Sequence, residues 1–482
     1  MVGAGLLLAL AAVLTWVSTY TFSYDRILRP VPSGVMLDNA QIYPRPILRV
    51  ENASTEAELQ EIVRKAAAEG LKVSIAGSQH SQGGHTYTEG GVVLNMRSFK
   101  KILDIDVDRR LLHAQSGATW AEVQDALQPK GLALKVMQSS NIFTIGGTLG
   151  ANAHGRDIHV TDVIEVVQSF RLLLASGEIV DVARGDELFG LAIGGYGMYG
   201  VILDVTLKVA PDELYAQHSV VLDYAEFPQH FEEEIRDKPE IALLLGRPSI
   251  DPAPETFLRE LVVVTWEHTD ETGDFALTEE KNVLRDRTAF NLSKDFDWMK
   301  SIRWDFQKRI ELGTTTTRIV SRNNAMRPPV APLKLLDTYT ANESLIIQEY
   351  FIPTQHFVGF MDDMRDALNK HDMNVMSSTV RFTKANDEAV LSYAPDRDAF
   401  AIIQVSSVKL DAKSQKRAET ATRQMVDAAV ERGGSYYLTY QLYPTKEQLY
   451  KAYPRAHEAF TLKRKYDPRG TFSSVFYEHY GR

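Results

Sequence analysis

Two stretches rich in glycine and small polar residues constrain this chain more than anything else in it. They are 74–81, reading S-I-A-G-S-Q-H-S, and 144–155, reading T-I-G-G-T-L-G-A-N-A-H-G. The first leaves a short, mostly apolar run, 71–75, and turns through Gly77 into His80. Glycine lets the backbone approach a ligand with no Cβ in the way, and successive N–H groups form a concave nest for an anion. A pyrophosphate is the natural guest of two such loops. Neither stretch is a G-x-G-x-x-G opening a helix after a strand, and neither carries the lysine of a P-loop. Each alone also reads as an ordinary tight turn. The pair, with a histidine in each, favours one dinucleotide site built from both.

The chain has 482 residues, long for one domain, so two are expected. Its net charge of −10 argues against a nucleic-acid partner, which calls for a basic face. The one basic cluster, Lys463-Arg464-Lys465, reads as a solvated helix face. There is no cysteine, which removes disulfides, cysteine metal sites and a cysteine nucleophile together. His80 and His85 share a turn without a third ligand, so no metal centre is expected. His113, His230 and His457 have no partner in sequence and read as structural.

Residues 2–22 carry no charged side chain, and a run of that length is about what a bilayer core requires of a helix. With no basic n-region and no clear A-x-A site, a retained single-span transmembrane anchor over 1–25 is favoured over a cleaved signal. That places the protein at a membrane. Arg26 and Arg29 are the cue to its orientation, a cytoplasmic catalytic part by the positive-inside rule. A linker, 26–44, holds Arg29-Pro30-Val31-Pro32-Ser33-Gly34. The first domain, 45–210, opens on a β-α-β beat: a strand at 47–50, a helix behind the capping box Thr55-x-x-Glu58, and the strand 71–75. Thr119-x-x-Glu122 is a second capping box, and 175–177 is a hairpin turn. The second domain, 211–430, has strands and helices in an order that suggests one antiparallel sheet. Within it, 281–287 reads as charged surface and 322–329 as a loop. A tail, 431–482, completes the chain. The fold class is α+β, not one doubly wound sheet.

On these motifs the chain resembles the vanillyl-alcohol-oxidase type of FAD-binding fold. That family carries a strand followed by G-x-x-H-S, here Gly77-Ser78-Gln79-His80-Ser81, and a later I-G-G with H-G, here Ile145-Gly146-Gly147 through His154-Gly155. The stretch 154–182 is similar to the branch of sugar-lactone oxidases, alditol oxidases and decaprenylphosphoryl-ribose oxidases. The tail is similar too: Lys465-Tyr466-Asp467-Pro468-Arg469-Gly470-Thr471-Phe472 matches K-x-D-P-x-G-x-F, where the family's chain returns to the flavin domain. The resemblance implies a two-part FAD-binding domain of the PCMH type and a substrate-binding cap. It implies FAD held by Gly77, Ser78, Gln79, Ser81, Gly146, Gly147, Thr148 and Asn152. His154 and Gly155 would lie by the ring and Ile202 near the adenine or ring edge. His80 matches the histidine that bonds covalently to the ring in many members.

What the resemblance implies for chemistry is oxidation of a hydroxyl on a sugar, sugar lactone, polyol or lipid-linked sugar. A base takes the hydroxyl proton and a hydride goes to flavin N5. Oxygen or a quinone reoxidises the flavin. By local pattern the substrate-side residues are Glu349 and Arg381, with Arg156 where the ribose oxidases carry a lysine. Gln404 and Tyr440 stand at the positions of a histidine and a lysine of alditol oxidases. Tyr440 serves as base only if a neighbouring cation lowers its pKa. Glu349–Arg381 also reads as a structural ion pair. The alternatives are C–N bond oxidation of an amine, as in cytokinin dehydrogenases, and a flavin-binding subunit without turnover of its own.

Overall fold

The computed structural model describes residues 2–23, 31–279, 281–313, 318–327 and 342–482. Arg26 and Arg29 fall outside them, as do Pro328 and Pro329.

The first domain has two sheets. Arg49–Asn52, Val92–Asn95 and Val73–Ala76 form a parallel three-stranded sheet with Val92–Asn95 in the middle. The helix Glu56–Ala68 crosses between its outer strands. Thr55 and Glu58 cap it reciprocally, and Leu59, Val63 and Ala66 form its buried stripe. The second sheet is antiparallel and orders Ile179–Ala183, Val167–Leu173, Val201–Pro211, Leu111–Gln115 and Ile102–Asp106. Thr119 and Glu122 form the second reciprocal cap, at the start of Trp120–Leu127.

The cap domain is an eight-stranded sheet running from Arg318–Ser321 at one edge to Ser435–Tyr436 at the other. Its centre pairs Glu343–Pro353 with Ala399–Lys409, and that strand with Asn374–Thr383, all antiparallel. Side chains alternate across a strand. One face carries Gln348, whose Nε2 bonds Thr422 on the helix Ala412–Glu431. The other face carries Ile347 and Glu349, together with Ile403 and Val405 from the neighbouring strand, and is turned to the first domain. The tail comes back to the first domain: Phe472 bridges Val73 in parallel, with Val73 N–H donating to Thr471 O at 2.7 Å.

Three expectations are corrected. No helix among the described residues is long and apolar enough to cross a membrane, so the transmembrane anchor is not found. The N-terminal helix Val2–Ser18 has 17 residues, about 25 Å of helix against the ~30 Å of a bilayer core. It then passes into the π-helical turn Thr19–Ser23. That turn docks on Val283–Asp295: Thr21 Oγ1 lies 2.6 Å from Thr288 Oγ1, and Asn291 Nδ2 donates to Tyr20 O at 2.9 Å. Secondly, the second glycine-rich stretch is not a loop throughout, because Ile145–Ala151 is a short helix capped by Thr144. Burial of Ile145 and Leu149 overrides the poor helix propensity of glycine there. Thirdly, Arg322–Met326 is a buried helical turn where a loop is expected. Arg322 pairs with Asp157 at 2.5 Å, and its Nε donates to Leu134 O at 2.9 Å, which tie this turn to the first domain.

Candidate active site

The strand Val73–Ala76 runs straight into residues 77–81, and the two glycine-rich stretches meet there. A Cβ on Gly77 would stand 2.1 Å from Thr144 Oγ1, and one on Gly146 would stand 3.0 Å from Ser116 Cβ. Glycine at these two positions leaves the Thr144 and Ser116 side chains room to pack against the turns. Gln79 takes φ 58°, a left-handed conformation that non-glycine residues rarely hold.

Between this cradle and the cap sheet lies a cavity of 330 Å³. Twelve of the residues expected at the site line it: Gly77, Ser78, Gln79, His80, Ser81, Gly146, Gly147, His154, Ile202, Glu349, Arg381 and Tyr440. Thr148, Asn152, Gly155 and Arg156 do not. Thr148 Oγ1 accepts from Trp120 Nε1 at 2.9 Å in the core. Asn152 ends the short helix in the left-handed region, and its Oδ1 accepts from Ile164 N–H at 3.2 Å. A Cβ on Gly155 would stand 3.0 Å from Met137 O, so that glycine serves packing. Arg156 is buried, donates to Ala325 O at 2.7 Å and lies 5.5 Å from the Trp266 ring centroid. Gln404 is also off the wall: Ile403 and Val405 face the cavity, and Gln404 Nε2 bonds Ser406 Oγ.

Glu349 is the centre of the cap side. It is 3 % exposed, and its Oε1 lies 2.5 Å from His154 Nε2. A carboxylate only accepts, so Nε2 carries the hydrogen. Tyr440 donates to Oε2 at 3.2 Å. Burial pushes the Tyr440 phenol well above its ordinary range, and the Glu349 charge adds to that; Arg381, pulling the other way, does not offset them. Tyr440 is therefore a neutral donor and not a base. Arg381 reaches across to Ser139 Oγ in the first domain. His154 is ringed edge-on by Phe351, Tyr393 and Tyr437, with centroids 5.4 to 6.0 Å away.

Several lining residues carried no local signal, among them Asn39, Ser140, Phe143, Tyr196 and Tyr437. His80 lies edge-on to Phe143, and its Nδ1 is 3.4 Å from Asn39 Nδ2. His85 also lines the cavity, stacked on Phe476 at 4.7 Å. Burial pushes its pKa down to about 3 from 6.5. A depressed base contributes stability that is present above 6.5 and lost as pH falls towards 3. The wild type is expected to lose stability relative to His85→Phe by about 1.4 kcal/mol per pH unit below pH 6. Thermal melts of both proteins at several pH values between 6.5 and 5 check the slope.

The residues fit a dinucleotide. The glycine cradle has no room for a Cβ, and the buried hydroxyls of Ser81, Thr86 and Ser140, all lining the cavity, have no hydrogen-bond partner within the described protein. Such groups are costly unless a ligand or water satisfies them.

Comparison with known proteins agrees with this geometry. Residues 47–183 match the family model for an FAD binding domain, and 336–480 match that for D-arabinono-1,4-lactone oxidase. The chain is 30 % identical over 172 residues to the decaprenylphosphoryl-beta-D-ribose oxidase of Mycolicibacterium smegmatis, covering 35 % of this chain and 37 % of the relative. It is 31 % identical over 157 residues to a putative D-arabinono-1,4-lactone oxidase of Neurospora crassa, covering 32 % and 28 %. It is 26 % identical over 243 residues to the mitochondrial L-galactono-1,4-lactone dehydrogenase of Arabidopsis thaliana, covering 46 % and 39 %. The chain thus spans well under half the length of these relatives.

Proposed function

We propose that this chain, which belongs to the vanillyl-alcohol-oxidase-type FAD oxidoreductases on the side of the aldonolactone and decaprenylphosphoryl-ribose oxidases, oxidises a hydroxyl group of a sugar lactone or ribose-type sugar. One observation carries the reading. A buried carboxylate, Glu349, faces the glycine cradle across one cavity and is held there by His154 and Tyr440.

FAD, when bound, supplies the two-electron acceptor for the hydride, and oxygen or a quinone-type acceptor then takes the electrons. Gly77, Ser78, Gln79, Ser81, Gly146 and Gly147 would hold it. Glu349 receives the proton of the substrate hydroxyl. His154 Nε2–H fixes one carboxylate oxygen, and the Tyr440 phenol fixes the other. Arg381 sits two strands away, on Asn374–Thr383 beyond Ala399–Lys409, and offers its guanidinium to an oxygen of the substrate. Ile347, Ile403 and Val405 complete that wall and exclude water from the reacting centre. This wall favours a compact ring or an apolar-tailed sugar over an open polyol, whose many hydroxyls would find few partners on it.

The test is anaerobic reduction of the purified flavoprotein with a panel of sugar lactones, ribose-type sugars, polyols and amines. Bleaching of the visible flavin band by lactones or ribose-type sugars supports the reading. Bleaching by amines alone, or by dithionite alone, overturns it.

His80 is proposed as the covalent attachment point of the flavin. Wild-type protein denatured in acid is expected to keep its flavin fluorescence on a gel. His80→Ala is expected to release FAD into the supernatant while still binding it in the native state. Free FAD from denatured wild type would remove the linkage.

A further inference from the structure

The exposed face formed by the N-terminal helix and the two cap helices Val283–Asp295 and Asp297–Leu312 is not used by the chemistry above. Of the 19 large hydrophobic side chains exposed among the described residues, 12 lie on these three helices and the turn Thr19–Ser23. On Asp297–Leu312, Trp298, Ile302, Phe306 and Ile310 follow one another at four-residue steps, 50, 52, 46 and 51 % exposed. That spacing makes one apolar stripe about 18 Å long. The opposite side of the same helix is packed inward through Trp304, whose Nε1 donates to Glu260 at 2.6 Å. The face is continuous: Arg285 lies 5.1 Å from the Phe306 ring centroid, and Trp16 lies 5.6 Å from that of Phe296.

Two observations name the occupant. Residues 9–16 of the N-terminal helix are exposed one after another, so two full turns are uncovered on every side, and none of these residues is charged. A groove on another protein, or on a second copy, covers one side of a helix. A helix apolar all round is at home only in a core or among acyl chains. Charge gives the second argument. Along the stripe Asp297 pairs with Lys300 and Asp305 with Lys308, and Arg285 on the neighbouring helix pairs with Asp286, so the signs are mixed. Mixed charges suit zwitterionic headgroups and gain nothing from an anionic surface.

We propose that this face docks the protein onto a lipid bilayer. The N-terminal helix enters the acyl region of one leaflet without crossing it, and the stripe lies at the headgroup boundary with its tryptophan in the interface. The same face is one side-chain layer from the cavity. Phe290 packs with Leu345 and Val405, and Val405 lines the wall opposite the glycine cradle. The docked face therefore places the substrate wall close to the lipid phase.

The experiment is flotation of the full-length flavoprotein with phosphatidylcholine vesicles, and with the same vesicles containing phosphatidylserine, at low and high salt. The wild type is expected to float with both, at either salt. The double variant Ile302→Glu, Ile310→Glu is expected to partition about a hundredfold more weakly. Its flavin content and its turnover of a soluble donor should match the wild type, which shows that the fold is intact. Flotation with the phosphatidylserine vesicles alone, lost at high salt, overturns the proposal. So does a wild type that stays with the aqueous fraction, or a discrete lipid-free dimer that the double variant dissociates.

Discussion

Replacing Glu349 by glutamine is expected to lower kcat about a thousandfold, within the range of two to four decades that a positioned general base supplies. The expectation rests on how little else at the cavity can take a proton. Tyr440 is held as a neutral phenol by burial and by the Glu349 charge itself. Arg381 is a cation whose pKa burial lowers without freeing a lone pair on the substrate side. His154 lends its Nε2 hydrogen to the carboxylate. Glutamine keeps the shape and still offers one oxygen to His154 or Tyr440, so flavin content and melting temperature should change little. What it loses is the ability to hold the substrate proton. Stopped-flow reduction under anaerobic conditions measures this directly, because it isolates proton and hydride removal from reoxidation. The loss should fall on the limiting reduction rate, with the substrate dissociation constant nearly unchanged. A Glu349→Gln enzyme reduced within tenfold of the wild-type rate would mean that the proton leaves by another route.

Much of the cofactor side was legible because it is local. A short apolar run, a glycine and a histidine within eight residues are enough to describe a strand delivering a turn, and Val73–Ala76 delivers residues 77–81 in that way. The capping boxes at Thr55 and Thr119 were legible for the same reason, since both halves of each box lie within three residues. The Glu349–His154 contact joins residues 195 positions apart and depends on how two sheets face each other, which no spacing records. Gln404 shows the same limit at smaller scale. Whether it or its neighbours face the cavity is a question of strand parity, and one step of register reverses the answer. The helices Val283–Asp295 and Asp297–Leu312 were hidden for another reason. Apolar residues of Asp297–Leu312 form a stripe on the outer side while Trp304 turns inward, so its pattern does not reduce to one core-facing band.

Asp467→Ala is expected to destabilise the protein by about 3–5 kcal/mol, the cost of leaving a buried charge without its partner, and to lower the melting temperature by about 3–5 °C. Asp467 is 2 % exposed, and its ion-pair partner Lys463 is fully buried one helical turn away. The same carboxylate accepts from Thr471 N–H and Phe472 N–H, each at 2.8 Å. It thereby folds the Asp467-Pro468-Arg469-Gly470 turn so that Phe472 meets Val73. Alanine would strand an ammonium and two backbone donors in the core. It would also loosen the strand that carries Gly77 to Ser81, so FAD affinity should fall together with stability. A second variant separates the two causes. Lys463→Met, Asp467→Ala removes the charge as well as its partner and should regain part of the stability. It leaves Thr471 and Phe472 unpaired, so the FAD affinity should stay low. Melting curves give the first quantity and fluorescence titration with FAD the second. Equal recovery of both would show that the pair acts on the cradle only through its charge. A melting temperature within about 2 °C of wild type for Asp467→Ala would show that the tail's return to the first domain does not depend on it.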